Sequence, residues 1–231
     1  MNKKNQTNGH ARCGFLRWCN VAAAPLLAVL AMAMLVSCSE TTGEEGEFSD
    51  WQSRNDTYFQ RLYTAARQRI SSGDASWKIY KNWSLDDAAA TKAENHIVVQ
   101  VLQAGTGSGS PLYTDSVKVH YRGRLMPSAN YPQGYVFDQS YKDELNPATA
   151  KTTTLSVGGV VDGFSTALQQ MRIGDRWQVY IPYALGYGAT TSNSSIPAYS
   201  TLVFDIQLVA YYRAGTQTSS TRAGKGHWVY E

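Results

Sequence analysis

The sequence has 231 residues, of which 43% are hydrophobic and 17% charged, a composition typical of a globular protein. Its formal net charge of +3 depends on four basic residues within the first 37 positions, where there is no acidic residue. Beyond position 37, 17 basic residues remain against 18 acidic ones. Because such a chain lacks the strong positive field that nucleic-acid binding requires, that class of function is excluded.

The first 37 residues have the pattern of a secretory signal peptide. Basic residues come first, and Val21–Val36 then continues for 16 residues without a polar side chain. This run contains Pro25 and is shorter than the roughly 20 residues of a membrane-spanning helix. The pattern therefore favours a cleaved signal peptide over a permanent transmembrane anchor.

The residues directly after the apolar run, Leu35-Val36-Ser37-Cys38, resemble the lipobox of bacterial lipoproteins. The resemblance implies that Cys38 is lipidated and becomes the new N-terminus. The next residue is Ser39 rather than Asp, which in such lipoproteins is typical of sorting to the outer membrane. Since Cys13 and Cys19 lie in the removed segment, the mature chain has no partner for a disulfide bond.

Residues 38–49 are polar and acidic, and we expect them to form a flexible tether between the lipid and the fold. Ser49 and Gln52 have the spacing of a capping box, and apolar residues follow at helical spacing. This pattern predicts an amphipathic helix over residues 50–71, within an N-terminal helical extension of residues 50–95. Packing of its apolar stripe on the chain's own domain is favoured, and a dimerisation helix is the alternative.

From residue 96 the hydrophobic period changes from helical to two, which predicts half-buried antiparallel strands. Alternation is clear around residues 97–101, 117–121, 177–181 and 202–208, and Gly105–Ser110 reads as a turn. Asp162–Met171 is the single helical stretch in this region, with Asp162 suited to cap its start and Gly174 to end it. Strands around one short helix predict an α+β domain, followed by a loosely ordered polar tail at residues 213–231.

The residue types that usually carry catalysis do not form recognisable motifs. The four histidines, His10, His96, His120 and His227, lack metal-ligand spacing, and there is no G-x-S-x-G nucleophile elbow. We therefore predict neither a metal nor another cofactor. The remaining candidates are apolar and aromatic side chains that occur in a particular order.

Several segments in this order resemble successive parts of FKBP-type peptidyl-prolyl cis-trans isomerases. They are VHYRG (119–123), VFDQSY (136–141), VVDGF (160–164), ALQQMRIGDRWQVYIPYALGYGA (167–189), IP (196–197) and TLVFDIQL (201–208). The resemblance implies an isomerase domain over residues 96–212. It also implies a strongly curved antiparallel β-sheet, a half-barrel, wrapped around one short α-helix.

The resemblance also implies a site between the sheet and the helix. Tyr121, Phe137 and Asp138 match the family's pocket wall, Phe164 takes the place of the pocket-floor Trp, and Tyr187 matches the Tyr whose hydroxyl donates to the ligand. Val160 and Val161 match the pair before the helix, whose second backbone N–H binds a ligand carbonyl. Ile196 and Phe204 complete the apolar wall, and Asp138 is expected to accept a hydrogen bond from the Tyr121 hydroxyl.

The function implied by the resemblance is rotation of X–Pro bonds in exported polypeptides at the cell envelope, with macrolides as inhibitors. Four departures affect the pocket: Phe164 replaces Trp, a wall Phe is missing near Lys151, Asp143 stands near the family's Arg, and the loop at residues 124–136 is longer. The first alternative is therefore a binding module or holdase chaperone without useful turnover. The second is a surface lipoprotein that acts on a host or matrix partner.

Overall fold

The computed structural model describes residues 46–193, 195–215 and 226–230. The predicted signal peptide, Cys38 and most of the predicted tether lie outside these residues. Helix α1 is Trp51–Ser71 and helix α2 is Asp162–Leu168. The strands are β1 Trp77–Lys81, β2 His96–Gln103, β3 Ser116–Leu125, β4 Val136–Gln139, β5 Thr153–Ser156, β6 Arg176–Ile181, β7 Leu202–Arg213 and β8 His227–Val229.

The eight strands form one sheet in the order β1-β2-β6-β7-β3-β4, and every pair is antiparallel. Strand β5 pairs with the first half of β3, and β8 pairs with the last residues of β7. The four strands expected from hydrophobic alternation are all present, and Gly105–Ser110 lies in an irregular connection without a helix. The predicted α+β class with an antiparallel sheet is confirmed.

The sheet encloses helix α2 on one face because alternate strand residues point to the same side. Val99, Val119, Val179 and Ile206 come from four strands and join Phe164, Leu168 and other fully buried residues in one apolar cluster. Gly163 allows close contact between the helix and β6, since a Cβ there would lie 2.3 Å from Cγ2 of Ile181. The short helix is thus the centre around which the domain packs.

Helix α1 packs on the opposite face of the same sheet. Val98 points away from its neighbours Ile97 and Val99, and forms a second cluster with Phe59 and Ala66 of the helix. This contact confirms the interpretation that the apolar stripe of α1 packs on its own domain. The predicted capping box is wrong, because Asp50 occupies the N-cap position without a side-chain hydrogen bond and Ser49 bonds to Gly46 instead.

The extension at residues 50–95 is not entirely helical. After α1 the chain forms β1, whose five residues pair in register with β2, from Trp77 opposite Gln100 to Lys81 opposite His96. All five residues of this edge strand are half-buried. In its sequence, WKIYK, the alternation of Trp77, Lys78 and Ile79 is broken at Tyr80, so the signal by which a strand is recognised is weak. The extension therefore belongs partly to the sheet itself.

Two other boundaries differ from the predicted ones. Helix α2 begins at Asp162 rather than after it and ends at Leu168. The N–H of Gln170 donates to the Ala167 carbonyl three positions back, and the N–H of Met171 is shared between the carbonyls of Ala167 and Leu168, so the chain tightens after the helix. The tail contains β8, where Trp228 lies opposite Tyr212 and the Lys118 ammonium lies 4.4 Å from the Trp228 ring.

In the parts of the chain that the structure describes, no helix has the length and apolar character needed to cross a membrane.

Candidate active site

Four aromatic side chains from four different elements meet on the inner face of the sheet. The Phe164 ring of α2 and the Phe204 ring of β7 have centroids 5.0 Å apart at an interplanar angle of 89°. Phe137 of β4 contacts the same Phe204 ring at 5.5 Å and 86°, and Tyr121 of β3 lies 6.3 Å from Phe164 at 90°. These edge-to-face contacts are the favourable geometry for aromatic rings, and together they build an apolar wall.

Gly123 makes this arrangement sterically possible. A Cβ at this position would lie 2.6 Å from ring atoms of both Phe137 and Phe204, so any larger residue would force the rings apart. Sequence reasoning included Gly123 in a motif but did not assign it to the site. The signal that could have identified it is a glycine within a strand pattern, which often marks a close approach.

The Tyr121 hydroxyl donates a hydrogen bond to Oδ2 of Asp138 at 2.6 Å, as predicted. The Tyr121 backbone is held as well, because its N–H donates to Oγ of Ser140 at 2.9 Å. Burial raises the pKa of Tyr121 above its ordinary value, and the hydrogen bond to Asp138 raises it further. The phenol therefore stays protonated and keeps a fixed orientation at neutral pH.

Val160 and Val161 lie in the connection that leads into α2. Both are half-buried and pack against the inner apolar cluster. Val161 occupies the N-cap position, where its carbonyl accepts the N–H groups of Phe164 and Ser165. Among the residues that the structure describes, the N–H of Val161 donates no hydrogen bond, which leaves a backbone donor at the start of the helix.

Tyr187 and Ile196 lie in the long connection between β6 and β7. Ile196 is buried within the inner cluster, whereas the Tyr187 side chain is 39% exposed. Burial of part of the ring raises the pKa of Tyr187, and the negative charge of Asp138 raises it further. The Tyr187 phenol therefore stays protonated at neutral pH and is a partly exposed hydrogen-bond donor near the Tyr121–Asp138 pair.

Most residues assigned from the sequence lie together in the structure. Phe164, Phe204 and Ile196 belong to the inner apolar cluster, and four others pack against it: Tyr121, Phe137, Val160 and Val161. Asp138 is joined to this cluster by its hydrogen bond with Tyr121. Cys38 lies outside the described residues.

Two cavities of about 510 and 600 Å³ open along helix α1, and none of the four aromatic residues Tyr121, Phe137, Phe164 and Phe204 lines them. The described residues contain no group of three or more His, Cys, Asp or Glu side chains able to hold a metal ion.

Comparison with known proteins places this chain in a family. A family model described as "FKBP-type peptidyl-prolyl cis-trans isomerase" matches residues 107–209. This range includes all nine residues assigned to the pocket. The "Macrophage infectivity potentiator" of Trypanosoma cruzi is 31% identical over 190 residues, which are 82% of this chain and 82% of that protein.

Two further relatives are bacterial. The "FKBP-type 22 kDa peptidyl-prolyl cis-trans isomerase" of Escherichia coli K12 is 32% identical over 65% of this chain and 66% of its own length. The "Outer membrane protein MIP" of Legionella longbeachae is 32% identical over 68% of this chain and 64% of its own length. The chain belongs to the FKBP-type peptidyl-prolyl cis-trans isomerases.

Proposed function

We propose that X–Pro bonds rotate against the apolar wall formed by Tyr121, Phe137, Phe164 and Phe204. The observation that carries the proposal is the 2.6 Å hydrogen bond between Tyr121 and Asp138 at this wall. It joins the only charged member of the set to the ring cluster and fixes the position of the phenol. In this assignment Asp138 orients Tyr121 and does not transfer a proton.

The chemistry requires little more than a suitable environment. Rotation about a peptide bond must break amide resonance, at a barrier of about 18–20 kcal/mol. The twisted amide has less charge separation than the planar one, so an apolar pocket that excludes water stabilises the transition state relative to the ground state. No nucleophile, metal or other cofactor takes part in this mechanism.

Orientation of the substrate supplies the remaining contribution. The N–H of Val161, which has no acceptor among the described residues, would bind a carbonyl next to the proline, and the Tyr187 hydroxyl would donate to a second carbonyl. Val160, Ile196 and Phe204 would contact the proline ring and its neighbours. Holding the peptide in this way restricts it to conformations close to the twisted amide.

Phe164 provides the sharpest test of the pocket, because its side chain is only 3% exposed and contacts both Tyr121 and Phe204. We expect Phe164→Ala to lower turnover of a prolyl peptide and to weaken binding of a macrolide inhibitor, since water enters the pocket and ring contacts are lost. We expect Phe164→Trp to retain or raise both. The measurements are a prolyl-peptide isomerisation assay and macrolide titration.

A buried Phe→Ala substitution costs about 3–5 kcal/mol of stability, so folding is verified by circular dichroism before activity is compared. Tyr187→Phe is the matched control on the other side of the site. It removes one hydrogen bond, worth about 0.5–1.5 kcal/mol, and should weaken macrolide binding only modestly. Wild-type turnover by a folded Phe164→Ala protein would show that the proline site lies elsewhere.

The cell envelope is the proposed location, and exported proline-containing polypeptides are the proposed substrates. The lipobox-like sequence before Cys38 supports a lipid anchor, and the printed name of the Legionella longbeachae relative supports an outer-membrane association. A lipid on Cys38 would hold the isomerase domain beside polypeptides that emerge from export.

The variant Cys38→Ala tests the anchor directly. Because a lipoprotein is held by the acyl chains on this cysteine, we expect the variant to leave the membrane fraction and become soluble after cell fractionation. Metabolic labelling with a fatty acid should mark the wild type alone. If the variant sediments with membranes as firmly as the wild type, the attachment has another cause.

A further inference from the structure

The connection between β6 and β7, here called the 182–201 loop, is fastened to the first turns of helix α1. The indole N–H of Trp51 donates to Oγ of Ser200 at 2.9 Å. Oδ1 of Asn55, one helical turn later, accepts the backbone N–H of Thr201 at 2.7 Å. All four residues are buried, and Asn55 is 0% exposed, so water does not compete for these bonds.

The contacts continue from the helix toward the proposed pocket. Having accepted the Trp51 N–H, the Ser200 hydroxyl donates to the carbonyl of Pro197 at 2.6 Å. Pro197 directly follows Ile196, which lies in the wall of the pocket. Asn55 is itself fixed, because its Nδ2 donates to the Trp51 carbonyl at 2.7 Å.

The backbone of the loop needs such support. Tyr199 has a φ of +61°, a left-handed conformation that is unfavourable for a residue with a side chain. Its N–H donates to the carbonyl of Gly188, next to Tyr187, and its ring packs on Tyr183 at 5.2 Å. The bonds from α1 to Ser200 and Thr201 hold the backbone immediately after this strained residue.

We propose that Trp51 and Asn55 are positioning residues of the isomerase, which hold the 182–201 loop so that Ile196 and Tyr187 face the substrate. Neither residue touches the substrate in this arrangement; both act through Ser200 and Thr201. The inference rests on the proposed assignment of Ile196 and Tyr187 to the pocket. Helix α1 lies outside the family-matched region 107–209, and the proposal gives this helix a role in substrate binding.

The experiment uses the full chain with Trp51→Phe, Ser200→Ala and both together. Trp51→Phe retains a buried ring and removes the N–H donor. We expect each single variant to raise KM for a prolyl peptide roughly 3- to 10-fold, the range for one lost hydrogen bond, with a smaller change in kcat. Because both changes break the same bond, KM of the double variant should stay well below the product of the two single effects.

Asn55→Ala tests the second bond and should raise KM in the same way, since it leaves the Thr201 N–H without its acceptor. Leu62→Ala is the control on the same helix, because Leu62 packs on the Val98 cluster rather than on the loop. It should lower the melting temperature and leave KM unchanged. If Trp51→Phe and Asn55→Ala behave like Leu62→Ala, they only stabilise the fold and the proposal is wrong.

Phe164→Ala in the same assay separates this proposal from the proposed site. Lost turnover in that variant together with raised KM in Trp51→Phe supports both. If Phe164→Ala loses turnover but KM of Trp51→Phe is unchanged, the positioning role alone is overturned. Wild-type turnover in folded Phe164→Ala overturns the site, and the positioning role with it.

Discussion

Adjacent residues on β3 have opposite chemical surroundings. Tyr121 points to the inner face, where its hydroxyl is bonded to Asp138. His120 is 2% exposed, and among the described residues its Nδ1 has no hydrogen-bond partner. Burial lowers the pKa of His120, and a hydrogen bond to the Lys151 backbone opposes this effect only in part. A neutral imidazole is therefore part of the folded structure.

This burial predicts a pH dependence of stability. Below the ordinary His pKa of about 6.5, the unfolded chain binds a proton that folded His120 does not bind. The free energy of unfolding should therefore fall as the pH falls from 6.5 toward the lowered pKa of folded His120. Urea denaturation of wild type and His120→Gln at several pH values between 5 and 8 measures this difference.

The wild type should lose more stability than His120→Gln between pH 6.5 and 5, because carboxylates contribute equally to both proteins. Above pH 7 the difference between the two proteins should be constant. Equal slopes for the two proteins throughout this interval would mean that His120 is protonated as readily in the folded state as in the unfolded state.

Strand β1 and helix α1, which both precede the family-matched region, cover one edge and one face of the sheet. Strand β1 pairs with the outer edge of β2, and α1 covers Val98 together with Trp77, Ile79 and Tyr180. At the opposite end of the chain, β8 pairs with β7 and contacts Lys118 of β3. An uncovered edge such as that of β2 would offer unpaired N–H and C=O groups to other chains.

A chain that begins at Glu94 should therefore be much less stable than one that begins at Gly46. It lacks α1 and β1, so Val98 becomes exposed and five register pairs of β2 are lost. Burying apolar area contributes roughly 25 cal/mol per Å², so we expect the shortened protein to lose several kcal/mol and to aggregate. Thermal unfolding followed by near-ultraviolet circular dichroism, together with light scattering, compares the two chains.

The chain that begins at Gly46 is the control, because it retains every described element. A protein beginning at Glu94 that melts within a few degrees of this control and has the same KM would contradict the prediction. That result would also show that the 182–201 loop needs no support from α1.

For the whole molecule, the position of α1 bears on whether two chains could form a dimer through this helix. The helix already packs Phe59, Ala66 and Leu62 against the sheet. Ile70, near the end of the helix, is an apolar residue that remains 40% exposed. Stable protein interfaces bury about 1,200–2,000 Å² in total. A single exposed side chain falls far short of that area.

We therefore expect the Cys38→Ala protein to be a monomer in solution. Sedimentation equilibrium at micromolar concentrations should give the mass of one chain. Ile70→Ser is the matched variant and should leave the mass unchanged. A dimer in the first protein that dissociates in the second would instead support the dimerisation helix.

Local patterns in the sequence determined the elements whose periodicity is strong. Alternating residues predicted β2, β3, β6 and β7, and helical spacing predicted α1. These features depend on residues that are near one another in the chain. The hydrogen bond from Tyr121 to Asp138 was within reach of the same reasoning, because the resemblance supplied both residues.

Tertiary structure decided the remainder. Strands β1 and β8 exist because a partner strand supplies their hydrogen bonds, and neither has an alternating pattern of its own. Gly123 belongs to the aromatic cluster because two rings from distant strands meet there. The bond from Trp51 to Ser200 joins residues 149 positions apart. Contacts of this kind depend on how the sheet curves and where the loops return, which no local period encodes.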